Sequence, residues 1–398
     1  MNILFLTLVD INNLDSKGGY PDLLREFVKN GHNLFIVKPS ERRHKKKTQL
    51  IQRNDYTILS VKTFNIQKAN IVEKGIGTIA IEYQFLNAIR RYFKKVNFDL
   101  VLYSTPPITF GKVIKEVKKR HKASSYLLLK DIFPQNAVDL GMFSKNSLIY
   151  RYFKNKEKEL YNISDYIGCM SPANVQYVLM HNDIDNNKVE LCPNAIEVSV
   201  SQNEVDKEKI LKQYSLPLEG KIFIYGGNLG KPQGLNFLLK ILETNKNKKD
   251  RYFLIVGSGT EFNKIESWFS IHQPFNAKLI QQLPQLDYEN LVSVSDVGLI
   301  FLDHRFTIPN YPSRLLSYLE KKIPVLMATD KNTDIGYIAE ENNYGKWCEN
   351  GDIKYFNKVL NKFCDGTFNI KEMGENGYVY LNENYTVDII YNIIMKHF

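Results

Sequence analysis

The chain has 398 residues, 43% of them hydrophobic and 12% aromatic, which suffices for packed cores and exceeds the size at which one core keeps growing, so two domains are expected. Four cysteines without C-x-x-C spacing, Cys169, Cys192, Cys348 and Cys364, argue against a disulfide framework or zinc site and fit a reducing cytosol. The net charge of +10 is uneven: residues 1–195 hold 30 basic and 18 acidic residues, and the remainder 23 and 25. It concentrates in Lys38–Lys47, Arg90–Lys95 and Lys112–Lys122, which suit an anionic partner.

The N-terminal "NILFLTL" reads as a strand, broken at Asp10 before it could serve as a signal peptide. "YPDLLREFVKNG" is a helix closed by Gly31, and "HNLFIVKP" a second strand. Then follow a helix ("IAIEYQFLNAIRRYFKKV"), a strand ("FDLVLYS"), a helix ("ITFGKVIKEVKKRH") and a strand ("SSYLLLKD"). "SLIYRYFKNKEKELYNISD" is helical, "YIGCMS" a strand, "PANVQYVLMHND" a helix and "KVELCPN" a strand. After a polar segment, Glu197–Gly220, a second series runs through "KIFIYGG", "LNFLLKILETN", "YFLIVGSG", "TEFNKIESWFS", "AKLIQQL", "DYENLVSVS", "DVGLIFL", "PSRLLSYLEKK" and "IPVLMAT". Such alternation predicts an α/β protein with two doubly wound parallel sheets, whose ligands bind at the carboxyl ends of the strands, in a cleft. No run approaches the roughly 20 apolar residues of a bilayer span.

Four turns share that strand-end address: "SKGGY" with Gly18 and Gly19, "GGNLGKPQG" with Gly227 and Asn228, "VGSG" with Gly257 and Gly259, and "PNYPSRLL" with Ser313 and Arg314. Glycine turns that open helices expose unpaired N–H groups suited to phosphate. The spacing matches neither the dinucleotide fingerprint nor a Walker loop. Together the four turns point to a nucleotide or phosphate cleft.

The ordered set "GGYPDLLREFVKNGH", "SPANVQYVLMHNDIDNNKVELCPNAIE", "GGNLGKPQGLNFLL", "FLIVGSG" and "DVGLIFL…PSRLLSYLEKKIPVL" resembles glycosyltransferase family 4, the retaining GT-B enzymes. "KDIFPQNAVDLGMF" with "GNLGKPQGL" resembles the branch that adds N-acetylfucosamine-type amino-deoxyhexoses in O-antigen and capsule assembly. The resemblance implies two Rossmann-like domains facing each other across a cleft: 1–197 for the acceptor, 198–375 for the nucleotide sugar, and a helical segment 376–398 crossing back to the first. It implies a UDP-sugar donor, an undecaprenyl-diphosphate-linked saccharide acceptor and a peripheral place on the inner face of the cell membrane. Gly18 and Gly19 then lie against the donor diphosphate. The family's Arg and Lys on that diphosphate are replaced here by Asn228 and Gln233, and its Glu-x7-Glu pair by Pro309 and Ser317. The backbone and amides of the turn are therefore expected to bind phosphate, with Arg314 supplying the charge.

A sugar leaving nucleoside diphosphate builds negative charge on the phosphate, and a carboxylate can take the acceptor proton. Asp131, at the end of "SSYLLLKD", is the candidate; its alternative is to cap the following turn. No Asp-x-Asp stands at a strand end, so no metal is expected, and "DID" (Asp183–Asp185) reads as a surface loop. The membrane and acceptor patch is placed on Arg42, Arg43, Lys45, Lys46 and Lys47 and on Arg90, Arg91, Lys94 and Lys95, the latter on a helix with an apolar face. Basic residues without a recognisable module do not make a nucleic-acid binder. A sugar-nucleotide epimerase and an inactive binding module stay as alternatives.

Overall fold

Strands of a sheet covered on both faces are near-continuous apolar runs, and "NILFL", "LVLYS", "SSYLLL" and "VGLIF" are almost wholly buried. The computed structural model describes residues 1–66, 71–199 and 206–398. They divide into two units, Met1–Glu197 with Val387–Phe398, and Val198–Thr386.

In the first unit β1 (Asn2–Leu6), β2 (Asn33–Glu41), β3 (Gln49–Gln52), β4 (Tyr56–Thr63), β5 (Leu100–Ser104), β6 (Ser124–Leu129), β7 (Tyr166–Cys169) and β8 (Val189–Leu191) form one sheet. Its order is β3-β4-β2-β1-β5-β6-β7-β8, parallel except for the antiparallel β3–β4 pair. The helices are α1 (Gly19–Lys29), α2 (Ile71–Tyr92), α3 (Gly111–His121), α4 (Gln135–Asp139), α5 (Leu148–Ile163) and α6 (Pro172–His181). Strand order reverses between β1 and β5.

Two features of the basic half differ from expectation. Lys38 is no surface cation: β2 continues to Glu41, and Lys38 is buried against Asp10 and the Asn12 side-chain oxygen. The helix carrying Arg90 and Arg91 buries Ile81, Phe85, Leu86 and Ile89 while packing on β4 and α3. That apolar face belongs to the core, while Ile79 and Tyr83 of the same helix stay exposed.

The second unit holds α7 (Lys207–Gln213), β9 (Lys221–Asn228), α8 (Leu235–Asn245), β10 (Arg251–Ser258), α9 (Phe262–His272), β11 (Ala277–Gln281), α10 (Gln285–Ser293) and β12 (Val297–Phe301). It continues with α11 (Arg314–Glu320), β13 (Val325–Thr329), α12 (Ile335–Glu341), β14 (Gly345–Glu349), α13 (Ile353–Cys364) and α14 (Ile370–Asn384). The sheet runs β11-β10-β9-β12-β13-β14, so its order reverses between β9 and β12, where open α/β sheets bind their ligands.

The segment expected to return to the first domain over 376–398 divides in two. Helix α14 packs on α11 within the second unit, and only α15 (Val387–Met395) with the residues after it groups with the first. There Ile390 and Ile394 are buried, the Tyr391 hydroxyl bonds His32 at 2.9 Å, and Glu190 holds Lys396 at 2.6 Å and His397 at 2.8 Å. His32 thus has a structural partner. Deleting a buried aliphatic side chain costs about 2–5 kcal/mol; Ile390→Ala should lower the urea midpoint of the first unit accordingly.

Candidate functional site

The turn after β9 is built on tyrosines. Strands β9 and β12 pair only through Phe223 and Ile224 with Val297 and Gly298, and beyond that point the hydroxyl of Tyr318 enters between them. It lies within hydrogen-bonding distance of the Ile224 and Leu299 carbonyls, at 3.2 and 3.3 Å, and accepts from the Gly226 N–H at 3.3 Å. Gly298 leaves room for that ring, because a Cβ there would lie 2.4 Å from it. Sequence reading did not find Tyr318, since its contacts join elements 92 residues apart.

The chain then turns at Gly227, whose φ of 114° favours glycine. Directly behind it stands Arg314: a Cβ on Gly227 would come within 3.8 Å of the guanidinium. Arg314 stacks over the buried Tyr225 ring, 4.4 Å from its centroid, and donates through Nη2 to Gln233 Oε1 at 2.7 Å. Its Nη1 is buried and meets no acceptor. The side chain is therefore held in place with donor capacity left over, and it is not a solvated surface arginine.

This arrangement changes the part expected of Gln233. Its amide was expected to reach a phosphate; it is buried instead, and its carbonyl orients Arg314. Asn228 stays exposed at the end of β9, and Ser313 is exposed while Ser317 is partly so on the helix that carries Arg314.

The second glycine pair also has a packing reason. A Cβ on Gly257 would lie 1.9 Å from the Gly227 carbonyl oxygen, and one on Gly259 2.4 Å from that of Leu229. The two turns are laced by Leu229 N–H to Ser258 O at 2.9 Å and Glu261 N–H to Leu229 O at 2.8 Å. Missing side chains at 257 and 259 let one turn pack against the other. They do not by themselves mark a place for a ligand. The loop after β12 is tied to the same turn by Asp303 N–H to Pro232 O at 2.9 Å, with Arg305 neutralised on Asp303 at 2.8 and 2.9 Å.

In the first unit, the N-terminus of α1 already holds an anion. The buried Asp22 carboxylate accepts from the Gly18 N–H at 2.9 Å, the Glu197 N–H at 3.1 Å and Arg25 Nη2 at 2.6 Å. A diphosphate at Gly18 and Gly19 would compete with this carboxylate for the Gly18 N–H. The expected contact of Gly18 is thus taken by a residue of the chain itself.

Asp131 follows β6. Asn136 donates its amide to both carboxylate oxygens, at 2.7 and 2.9 Å, and Thr105 Oγ1 accepts the Asp131 N–H at 3.2 Å. Burial pushes its carboxyl up to about 6, against the pull of Asn136 and the Ile132 N–H. Helix α4 starts at Gln135 with Pro134 at its N-cap position, so Asp131 is not its N-cap residue, although its carboxylate ties the turn leading into the helix through Asn136 and the Ile132 N–H. A carboxyl fixed at a strand end and pushed up by burial suits proton transfer.

Of the basic patches, Arg42, Arg43, Lys45, Lys46 and Lys47 are all exposed, with Arg43 paired to Glu41 at 2.5 Å. Arg90 pairs with Glu116 at 2.9 Å, Arg91 lies 5.6 Å from the Tyr92 ring centroid, and Lys94 and Lys95 are exposed. Asp185 caps a short 3-10 turn. Among the described residues no three His, Cys, Asp or Glu side chains cluster as metal ligands, and no helix is long and apolar enough to cross a membrane.

Comparison with known proteins adds three findings. Residues 206–380 match the family model "Glycosyl transferases group 1". "Probable glycosyltransferase WbjE" of Pseudomonas aeruginosa is 21% identical over 327 residues, 80% of this chain and 78% of that protein. Two solved structures superpose over nearly both whole chains: HepE of Anabaena in complex with UDP (TM-score 0.70, 12% identity, 100% and 99% covered) and WaaG, a glycosyltransferase involved in lipopolysaccharide biosynthesis (TM-score 0.68, 12% identity, 99% of each). The fold is GT-B, residues 206–380 carry a group 1 glycosyltransferase domain, and the chain is a glycosyltransferase.

Proposed function

We propose that this glycosyltransferase takes a sugar from a UDP-sugar, with the diphosphate seated at the Gly226–Gly227 turn and Arg314 as its cation. The observation that carries the reading is the buried, unpartnered Nη1 of Arg314 behind that turn, at the reversal of strand order. The UDP complex of the HepE structure supports the choice of nucleotide. When the glycosyl–phosphate bond breaks, the electron pair leaves with UDP, and Arg314 stabilises that charge. The acceptor hydroxyl loses its proton to the Asp131 carboxylate as its oxygen bonds the sugar. No step requires a metal ion.

The acceptor in this reading is an undecaprenyl-diphosphate-linked saccharide at the inner face of the cell membrane. The transferred sugar is N-acetylfucosamine or a related amino sugar of capsule or O-antigen. The likeness to WbjE and to WaaG supports an envelope polysaccharide role, and the exposed cations from Arg42 to Lys47 and at Lys94 and Lys95 support an anionic surface. The partners include no nucleic acid. An epimerase or an inactive binding module would share the UDP seat but would not transfer sugar to an acceptor. Calorimetric titration in excess EDTA should show binding of UDP in preference to GDP and ADP. Binding restored only by a divalent ion would contradict the metal-free reading, and equal binding of the three nucleotides would contradict the donor assignment.

A further inference from the structure

The segment joining α4 to α5 exposes apolar side chains that the fold leaves uncovered. Met142 is 62% exposed, Leu148 79%, Ile149 54% and Tyr152 39%. Leu148, Ile149 and Tyr152 lie at i, i+1 and i+4 on one face of α5, while Glu157, Leu160 and Tyr161 of the other face are buried. The helix is amphipathic in the ordinary way on its inner side and apolar again on the outer side of its first turns.

The charged residues of the connecting segment itself are of one sign, with Asp139 before it and Glu157 and Glu159 after it. Residues 140–156, "LGMFSKNSLIYRYFKNK", contain Lys145, Arg151, Lys154 and Lys156 and no acid. Lys154 and Lys156 turn inward to Glu157 and Glu159, and Lys145 and Arg151 are exposed. The segment is also firmly mounted. Phe133 packs edge-on against Phe143 and Phe153, with centroids at 6.2 and 4.9 Å, and Ser147 caps α5 through the Tyr150 N–H at 3.1 Å. Phe133 is two residues from Asp131.

We infer that the α4–α5 connection and the first turns of α5 form a wedge that inserts into an anionic phospholipid bilayer, with Met142, Leu148, Ile149 and Tyr152 entering the interface and Lys145 and Arg151 meeting the headgroups. Exposed apolar side chains beside cations, with no carboxylate among them, match a surface that is apolar below and negative above. A soluble protein partner of ordinary polarity would want acceptors as well as donors here. The wedge rests on the membrane reading above. It also places the lipid surface on the part of the fold that carries Asp131, where a lipid-linked acceptor has to arrive.

The test uses the full chain and sucrose-loaded vesicles of phosphatidylcholine with and without phosphatidylglycerol. Wild type should sediment with the anionic vesicles. The double variant Leu148→Asp/Ile149→Asp should sediment at least tenfold less, with unchanged circular dichroism and unchanged UDP titration. In Leu148→Trp, vesicles should shift the added tryptophan emission to the blue. Wild-type sedimentation with the double variant undiminished, or no shift in Leu148→Trp, would overturn the wedge and leave the membrane reading standing. Wild type that ignores both vesicle types would remove the membrane reading and the wedge together. A dimer that the double variant dissolves, in light scattering without lipid, would assign the face to a second copy of the chain and overturn the wedge.

Discussion

Replacing Arg314 by alanine should weaken UDP binding roughly tenfold to hundredfold. A charge-assisted hydrogen bond to phosphate contributes about 1.5–3 kcal/mol, and the geometry leaves little to substitute for it. Arg305 is neutralised by Asp303, and Lys231 is an exposed side chain on a short 3-10 turn. Arg314→Lys keeps a charge but loses the planar contact with Tyr225 and the fork that bonds Gln233 while leaving Nη1 free, so it should recover only part of the loss. Gln233→Ala acts through Arg314 and removes one bond to its guanidinium. Its effect should be smaller, about 0.5–1.5 kcal/mol. Isothermal titration checks all three. An unchanged dissociation constant in Arg314→Ala would remove the arginine from the phosphate seat.

Asp131→Asn should lower turnover by roughly 10²–10⁴-fold, the usual contribution of a positioned acid or base, with UDP affinity largely kept because its seat lies in the other unit. The pH profile carries the sign of the role. Burial pushes the carboxyl up to about 6, and a base must be deprotonated, so the wild-type rate should fall as pH drops through about 6. The stability effect has the opposite sense. A carboxyl raised in the folded state binds its proton more tightly there than in the unfolded chain, so ionising it at neutral pH weakens the fold. The wild-type fold should therefore weaken as pH rises through about 6, a trend that Asp131→Asn should lack while being slower in catalysis. A merely structural aspartate would give the stability change without the loss of turnover. Initial rates at saturating acceptor, with thermal unfolding at pH 5 and 8, separate the two.

Much of the site was legible where local pattern and function coincide. The run "KIFIYGG" ends a buried strand in glycine, and the strand–helix alternation around it placed the turn at a carboxyl end. Arg314 was legible as a cation of the "PSRLLSYL" turn at a strand end. Its restraint was not. Tyr225, Gln233 and Tyr318 meet around it only because β9 and β12 are neighbours in the sheet, and no local spacing encodes that. Gly18 shows the converse. The glycine turn was visible, but the anion that occupies it is Asp22, four residues on, bonded also to Glu197 far along the chain. Glycines 257 and 259 looked like ligand positions for the same reason, since a backbone brought close to another turn and one brought close to a phosphate demand the same residue. Strands β3 and β4 escaped notice because "QLIQ" is short and polar at both ends, and its pairing with β4 is antiparallel in an otherwise parallel sheet. At the C-terminus, α14 and α15 are joined by Tyr385 and Thr386, and sequence pattern does not show that the chain changes unit there.

The most direct measurement is the release of UDP from a UDP-sugar by the purified chain in EDTA, with and without an undecaprenyl-diphosphate-linked saccharide. The account predicts release that depends on the acceptor, is matched by a glycosylated lipid product and falls at least about tenfold in both Arg314→Ala and Asp131→Asn at subsaturating donor. Release that ignores the acceptor, or UDP binding with no product from any UDP-sugar and acceptor tried, would contradict it.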